Sequence, residues 1–580
     1  MTQLIRRPSL IAALCLLLGA AAFAQQQPWS QRMASTTMAR WPDGRIVAPS
    51  ANWASNADLG ILLNGIDAAW YNTANGDDYH YIQRSIDHLI APDGSIPTYN
   101  PSDRTPNDLA FGRSLLLLYR VTQNKKYYTA ATALHQPIPS QIPIYGLYSA
   151  GPFYAEYAYL FREPQDFATL TKQFVSMNRQ ARSPRTSARD VGWYMMALVD
   201  TLPYYSENDP GHARLLAILN QNATFLARHQ DPQTGLWHEA LNRPTAPDNS
   251  LSPSASCMFV YALQKAVRLG YLPERYSQSA SRAWRTILSQ YVQTNSDGSI
   301  TLKVSNDAIS TGAFMLAASE MEMTPQATLA RGQTIMMDAW FNSQQRANAA
   351  GQKHYFHYKW TDFSNSGFSL LGHIFQSHGA KLAMLTEAPT LARLRNAQIY
   401  FIVSPDIPKW NPNPNYVQPE DANQVAEWVR QGGVLVLMEN DPANADLDHF
   451  NLIAEKFGLH FDNVLKHHVV DPHYGPGFIP VTGSGPIFHH PHTIYMKDTC
   501  GISVKAPASA VFSDKDGIVI ASAKYGKGMA VAVIDPWLYN EYTDHRKVNP
   551  AQQNFAAGQE FALWLIRQTQ HNPQPQEESR

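Results

Sequence analysis

The chain has 580 residues, room for two to four domains at roughly 150 residues each and for large buried cores. Apolar residues make up 44% and charged residues 16%, a folded composition that excludes extended disorder. Lys and Arg number 46 against 47 Asp and Glu, net −1, which leaves no basic field for nucleic acid and no acidic tail.

At the start, Arg6 and Arg7 precede an apolar run from Leu10 to Ala22, and Ala22-Phe23-Ala24 forms a small-x-small cleavage site. This predicts a signal peptide over 1–24, with a run too short to span a bilayer well. The expected mature protein has no membrane span and is periplasmic or secreted. Cys257 and Cys500 stay after Cys15 departs. They are too far apart in sequence to suggest a disulfide scaffold and read as small buried apolar residues.

From Trp29 to about Trp340 apolar residues recur at three and four, and β-branched runs are scarce. The predicted helices pair as outer then inner: 29–40 with 58–71, 77–90 with 111–121, 125–134 with 151–162, 165–178 with 191–203, 211–229 with 254–269, and 275–291 with 308–320. Asp43-Gly44-Arg45-Ile46 echoes in Asp93-Gly94-Ser95-Ile96 and Asp297-Gly298-Ser299-Ile300. Helix pairs cannot bury their apolar faces alone, so such a repeat should close into a ring or stack as an open solenoid.

The turns from inner to outer helices are short, whereas the outer-to-inner loops 41–57, 91–110, 135–150, 179–190, 230–253 and 292–307 are long. In an alternating ring all the long loops emerge on one face, where sites are usually built. They carry Trp41, Trp53, Tyr99, Tyr145, Tyr148, Trp237 and His238, with Asp93, Asp103, Asp108, Arg189, Asp190 and Glu239. Aromatic faces, carboxylates and an Arg around one mouth suit an acidic sugar.

After this unit, taken as 28–341, a polar linker is expected over 342–362 and an α/β domain over 363–570, followed by a disordered tail over 571–580. Tyr400-Phe401-Ile402-Val403 and Val434-Leu435-Val436-Leu437 read as buried parallel strands. A helix near Pro419–Gln431 lies between them, and further strands are expected near 518–523 and 529–534. The Pro-rich run from Pro405 to Pro419 is a loop at a strand's carboxyl end, a common ligand position.

Three short motifs in this half carry little. Cys500 shows no strand-to-helix turn of the kind an amidotransferase nucleophile needs. Gly526-Lys527-Gly528 precedes a strand, where a phosphate loop would follow one. His489-His490-Pro491-His492 has no carboxylate or Cys at ligand spacing, so it reads as loop histidines and no metal is expected.

Gly146-Leu147-Tyr148, Pro152-Phe153-Tyr154-Ala155-Glu156-Tyr157, the run Gly192 to Asp200, Asp231-Pro232-Gln233-Thr234-Gly235-Leu236-Trp237 and Ser254 to Phe259 occur in order. Over about 28–325 the chain resembles the unsaturated uronyl hydrolases of glycoside hydrolase families 88 and 105. From Asn365 onward it is similar to a domain of unknown function often fused to family 105 proteins, with an amidotransferase-like sheet lacking the catalytic Cys. The resemblance implies an (α/α)6 toroid followed by a Rossmann-like α/β domain, and no cofactor.

The implied reaction is removal of a Δ4,5-unsaturated uronic acid from lyase-generated oligosaccharides of the pectin or rhamnogalacturonan type. An Asp protonates the alkene and helps activate water. The hydrated sugar is a hemiketal that opens and releases the aglycone. The partner is thus an oligosaccharide with a uronic acid end. Arg189 and Trp193 match the family's Arg and Trp, and Tyr145, Tyr148 and Trp237 join them as substrate-binding residues. The family's principal Asp, directly before Gly-Leu-Tyr, is Tyr145 here. A second family Asp precedes Asn, whereas here Asn107 precedes Asp108, which becomes the catalytic candidate. Two other readings remain: a catalytically silent carbohydrate-binding relative, and a hydrolase of saturated uronides using Asp103 or Asp190.

Overall fold

The computed structural model describes residues 27–46, 56–546 and 552–570. The predicted signal peptide, Trp53 and the tail lie outside the described residues. The chain has a helical N-terminal region and a sheet-containing C-terminal region.

The helical region begins with α1 (Trp29–Arg40), α2 (Asn56–Thr73), α3 (Gly76–Asp87), α4 (Gly112–Thr122), α5 (Lys125–Leu134) and α6 (Leu147–Phe161). It continues with α7 (Gln165–Ala181), α8 (Ala188–Thr201), α9 (Pro210–Arg228), α10 (Pro253–Arg268), α11 (Arg275–Thr286) and α12 (Ala308–Met323). These fall on the six expected pairs. Short polar side chains set several starts by accepting backbone N–H groups, as Asn75, Asn124, Ser187, Asp209 and Asp307 do. The odd-numbered helices bury one stripe, as in α11, where Tyr276, Ser279, Ala280, Ala283 and Trp284 are inward. The even-numbered ones are buried nearly all round, as α12 is from Ser310 to Glu320.

The even helices touch in the order α2, α4, α6, α8, α10, α12, and α12 returns to α2. That last joint is close. A Cβ on Gly312 would stand 2.6 Å from the Ile61 carbonyl oxygen, so glycine is what lets the two backbones approach.

The Asp-Gly echo is a structural joint. Asp43, Asp93 and Asp297 each accept the N–H two residues on, at 3.0, 2.9 and 3.0 Å. The glycines take φ +78°, +88° and +84°. Asp231 builds a variant with Gly235 at φ +74°. Gly44 rests on Ser85 of α3, Gly94 on Lys126 and Thr129 of α5, and Gly235 on Arg282 of α11. The Gly298 carbonyl accepts Arg32 of α1 at 3.0 Å, tying the last pair to the first. Gly94→Ala should cost about 2 kcal/mol or more, because left-handed strain adds to a Cβ landing 2.4 Å from the Lys126 carbonyl. Gly298→Ala meets open space and should cost about 1 kcal/mol. Thermal melts of the two variants read the difference.

Two short strands follow α11, β1 (Val292–Thr294) and β2 (Ile300–Leu302). The next strand corrects the expected boundary. Thr334–Asp338, assigned by sequence to the helical unit, is β3, an inner strand of the C-terminal sheet. Its core, Ile335-Met336-Met337, is too short and too methionine-rich to signal a strand. The expected linker is also structured. It holds the hairpin β4 (Gln345–Ala347) and β5 (Lys353–Tyr355) and the fully buried Lys359, which donates to Asn342 at 3.1 Å.

Then come α13 (Ser369–Ser377), β6 (Lys381–Leu385), α14 (Leu391–Leu394), β7 (Ile399–Val403), α15 (Pro419–Gln431), β8 (Val434–Met438) and α16 (Leu447–Ala454). After them run β9 (Leu459–Lys466), β10 (Phe478–Val481), β11 (His492–Tyr495), β12 (Thr499–Val504), β13 (Ser509–Asp514), β14 (Gly517–Tyr525) and β15 (Gly528–Val533). The last elements among the described residues are α17 (Asn540–Thr543) and α18 (Asn554–Gln570). The main sheet runs β13-β14-β15-β8-β7-β3-β6. β15, β8, β7, β3 and β6 are parallel, and β13 and β14 are antiparallel additions. β7 and β8 are wholly buried, as their unbroken apolar runs require.

The C-terminal region packs on the short-turn end of the helices. His373 meets Asn72 at 3.0 Å, the Ala349 N–H donates to the Tyr119 hydroxyl at 2.6 Å, and Gln352 donates to the Phe161 carbonyl at 2.7 Å. Arg331 donates to the Val267 carbonyl at 2.8 Å. Arg546 covers the rings of Trp70 and Tyr79.

Candidate functional site

The long loops meet at the opposite end. Arg104 of the loop before α4 donates to the Pro137 carbonyl of the next loop. The Ala188 N–H donates to the Glu239 carbonyl at 2.8 Å. Ser310 and Ser254, in the first turns of α12 and α10, hydrogen-bond at 3.2 Å. The even helices therefore aim their N-termini, with their unpaired N–H groups and positive dipole ends, at this end.

Tyr148 and Trp193 come together there, with ring centroids 5.1 Å apart and planes at 34°. Asn64 of α2 donates to the Tyr148 hydroxyl at 3.1 Å. Burial pushes the Tyr148 phenol far up, so it stays protonated. Arg189 is exposed in the first turn of α8. It acts electrostatically on Asp307, the cap of α12. Burial raises the Asp307 carboxyl, but the Ser310 N–H, the Ser305 hydroxyl and Arg189 together hold it below its ordinary value. Tyr145 sits in the 3-10 turn Ile144–Gly146 with its side chain 52% exposed.

Asp108 lies in the 3-10 turn Pro106–Leu109, against the turn of Tyr145: a Cβ on Gly146 would meet Pro106 at 2.6 Å. Asp108 Oδ2 accepts the Thr105 N–H at 2.7 Å and the Thr105 hydroxyl at 3.1 Å, a capping box. Asp190 does similar work, accepting the Ser187 hydroxyl at 2.9 Å. One oxygen of each candidate acid is thus committed to its own helix start.

Trp237 is a correction. It is wholly buried, its indole N–H donates to the Leu226 carbonyl at 2.8 Å, and its ring packs edge-on against Phe259. The loop turns it into the helical core and leaves no face for a sugar.

Sequence reading missed the charged interior. Asp200 accepts Tyr261 and Lys265 on Oδ1, both at 2.6 Å, and Arg113 on Oδ2 at 2.9 Å. Burial would raise its carboxyl, but Lys265 and Arg113 outweigh that and hold it low. Arg268 grips Glu320 through two bonds, at 2.8 and 2.6 Å. Asp67, one turn below Asn64 on α2, is lifted by burial to about 7. The available signal was a few charged residues set within largely apolar helices, Arg113 and Arg120 on α4, Asp200 on α8, Lys265 and Arg268 on α10.

In the C-terminal region Cys500 is buried in β12 and its thiol donates to the Ile534 carbonyl, far in kind from an exposed nucleophile turn. Glu560 reaches the histidine motif from α18, pairing with His490 and His492. Among the described residues, His467, Asp514 and Asp516 form a group with metal-ligating atoms. His467 Nε2 stands 2.7 Å from Asp514 and 3.7 Å from Asp516. Lys515 lies 3.7 Å from Asp516, and Lys466 bonds the Asp516 carbonyl, so cationic side chains already serve this group.

The sequence model of Glycosyl Hydrolase Family 88 matches residues 29–187 and 176–325. "Protein Atu3128" of Agrobacterium fabrum is 36% identical over 113 residues, 20% of this chain and 48% of that protein. The chain spans about half the length of the curated relatives it matches. A glycoside hydrolase from family 105 of C. acetobutylicum is similar at 27% identity and TM-score 0.46, over 51% of this chain and 99% of that one. An unsaturated glucuronyl hydrolase specific for heparin is similar at 13% identity and TM-score 0.38, over 51% and 97%. No described helix is long and apolar enough to cross a membrane.

Proposed function

Because the chain belongs to Glycosyl Hydrolase Family 88, we propose that it removes a Δ4,5-unsaturated uronic acid from the non-reducing end of lyase-generated oligosaccharides of the pectin or rhamnogalacturonan type. The reaction is hydration of the double bond: a proton goes to C4 and the water oxygen to C5. The resulting hemiketal opens and expels the aglycone. The match over residues 29–325 carries this reading. The site is the long-loop end of an (α/α)6 toroid, a closure supported by the return of α12 to α2 and by the Arg32–Gly298 bond. Arg189 takes the sugar carboxylate, and Tyr148, Trp193 and Tyr145 border the ring. Asp108 gives the proton. The parallel strands β15, β8, β7, β3 and β6 support a Rossmann-like second domain. The Arg6-Arg7 and Leu10–Ala22 pattern supports a periplasmic or secreted protein.

One observation favours a second reading, a carbohydrate-binding relative without turnover. Tyr145 stands where the family places its principal Asp, and Asp108 and Asp190 are each bonded to the N-cap residue of their own turn or helix, Thr105 and Ser187. Ultraviolet loss of the alkene in lyase-generated disaccharides separates the two. Turnover is expected, and Asp108→Asn should cut it roughly 100-fold or more, the usual scale for a general acid. Full activity in Asp108→Asn would remove Asp108 from the mechanism. Constant absorbance with measurable sugar binding would establish the silent relative.

A further inference from the structure

The chain as a whole is near neutral, but one flank of the helical region is not. The outer helix α11 turns Tyr276, Ala280, Ala283 and Trp284 inward and exposes Arg275, Gln278, Arg282 and Arg285. Positions spaced by three and four residues form one stripe along a helix. A groove of about 590 Å³ follows this stripe, and its described lining runs from Glu274 to Arg285 with Ser277 and Ser281 between the arginines. Three guanidinium groups there face one carboxylate, Glu274.

Neutral partners hold each arginine. Arg282 donates to Gln230 at 2.6 Å and Arg285 to the Ser281 carbonyl at 3.4 Å, and the Arg275 guanidinium lies 5.0 Å from the Tyr276 ring centre. Among the described residues none of the three forms an ion pair, whereas the equally exposed Arg393 and Arg430 pair with Glu387 and Glu427. The neighbouring outer helix α9, joined to α11 by the Thr224–Tyr276 hydrogen bond at 3.0 Å, adds exposed Arg214 and Arg228 and holds no Asp or Glu. Helix stability does not call for this arrangement. Arg282 and Arg285 are like charges three residues apart, and Arg275 stands at the positive end of the helix dipole, both unfavourable. Only Arg285, in the last turn, gains from that dipole.

We infer that the outer face of α11 is a docking groove for a polysaccharide chain bearing uronic acids, apart from the long-loop end. The anionic character of the occupant follows from the groove itself, and its being a uronate polymer rests on the proposed substrate. Guanidinium forks take carboxylates through paired bonds, and Ser277, Gln278 and Ser281 offer partners to sugar hydroxyls between them. A nucleic acid strand needs rings on which to stack its bases, and a lipid surface needs apolar anchors among the cations. The aromatic side chains of α11, Tyr276 and Trp284, are buried, and its exposed stripe is polar throughout. A polymer held on this flank raises the local concentration of chain ends at the long-loop end.

The test is calorimetric titration of the full chain with polygalacturonate at low salt, with neutral galactan as the counterpart and single-stranded DNA as an unrelated polyanion. The chain should bind polygalacturonate and not galactan, and more weakly as salt rises. Arg275→Gln, Arg282→Gln and Arg285→Gln made together should weaken that binding tenfold or more, while Arg189→Ala leaves it unchanged. All three positions are exposed, so the triple variant should keep the parent's melting temperature and its rate of alkene loss from lyase-generated disaccharides. Absent binding of polygalacturonate, indifference to the triple change, equal binding of DNA, or loss of binding in Arg189→Ala would overturn the proposal. A chain that binds the polymer through these arginines yet leaves the alkene intact would sink the hydrolase reading and keep this one.

Discussion

Asp200→Ala is expected to be the most damaging single change in the helical domain. It strips the shared partner from Arg113, Lys265 and Tyr261 at once. Removing one member of a buried ion network costs about 3–5 kcal/mol, because the partners stay buried without compensation. A fall in melting temperature on the order of 10 °C follows. Asp200→Asn should cost less, since its amide oxygen still accepts Lys265. A calorimetric melt checks both. If Asp200→Ala melted with the parent chain, the three donors would have to find water, and the interior would be wetter than the burial of Asp200 allows.

The second large effect is in pH. Asp78 is fully buried and burial lifts it to about 7. Burial also raises Glu439 and Asp535 well above the carboxylate range. Glu439 Oε2 and both Asp535 oxygens lack hydrogen-bond partners. Such groups titrate near 4 when unfolded. Between the two values the folded chain holds more protons, so stability is complete below about 4 and declines as pH rises through the folded value. For Asp78 the decline amounts to on the order of 4 kcal/mol by pH 8. Glu439→Gln and Asp535→Asn should therefore raise the melting temperature at pH 8 and change it little at pH 4. Asp200, held low, works in the reverse sense, so the variant-minus-parent difference is the quantity to measure. Equal differences at both pH values would show that neither acid is neutral in the folded chain.

The helical half was legible because its signal repeats. Each pair sets a one-sided outer helix against an inner helix buried nearly all round, and the Asp-Gly turn recurs with the same hydrogen bond. β7 and β8 were legible because unbroken apolar runs have few other uses. β3 was not: five residues with two methionines carry no period, and only their neighbours β6 and β7 make them a strand. At the candidate site, residue type misled where direction decides. Trp237 and Trp193 look alike as indoles, yet one is wholly buried with its N–H spent on Leu226, while the other keeps 7% exposure and lies tilted against Tyr148. That Asp108 and Asp190 are tied to helix starts shows only in their contacts with Thr105 and Ser187. The Asp200 network joins α4, α8 and α10, and no local window holds all three.

The placement of β3 bears on how the gene can be cut. A truncation after 341, the natural choice from sequence, would carry the strand next to the sheet's β6 edge away with the helices. It would leave β6 and β7 without the neighbour between them. An expression fragment of the first half should stop between Met323 and Thr334. Recombination that swaps one half for a foreign one must break within that same short interval, so the halves are expected to pass through descent together.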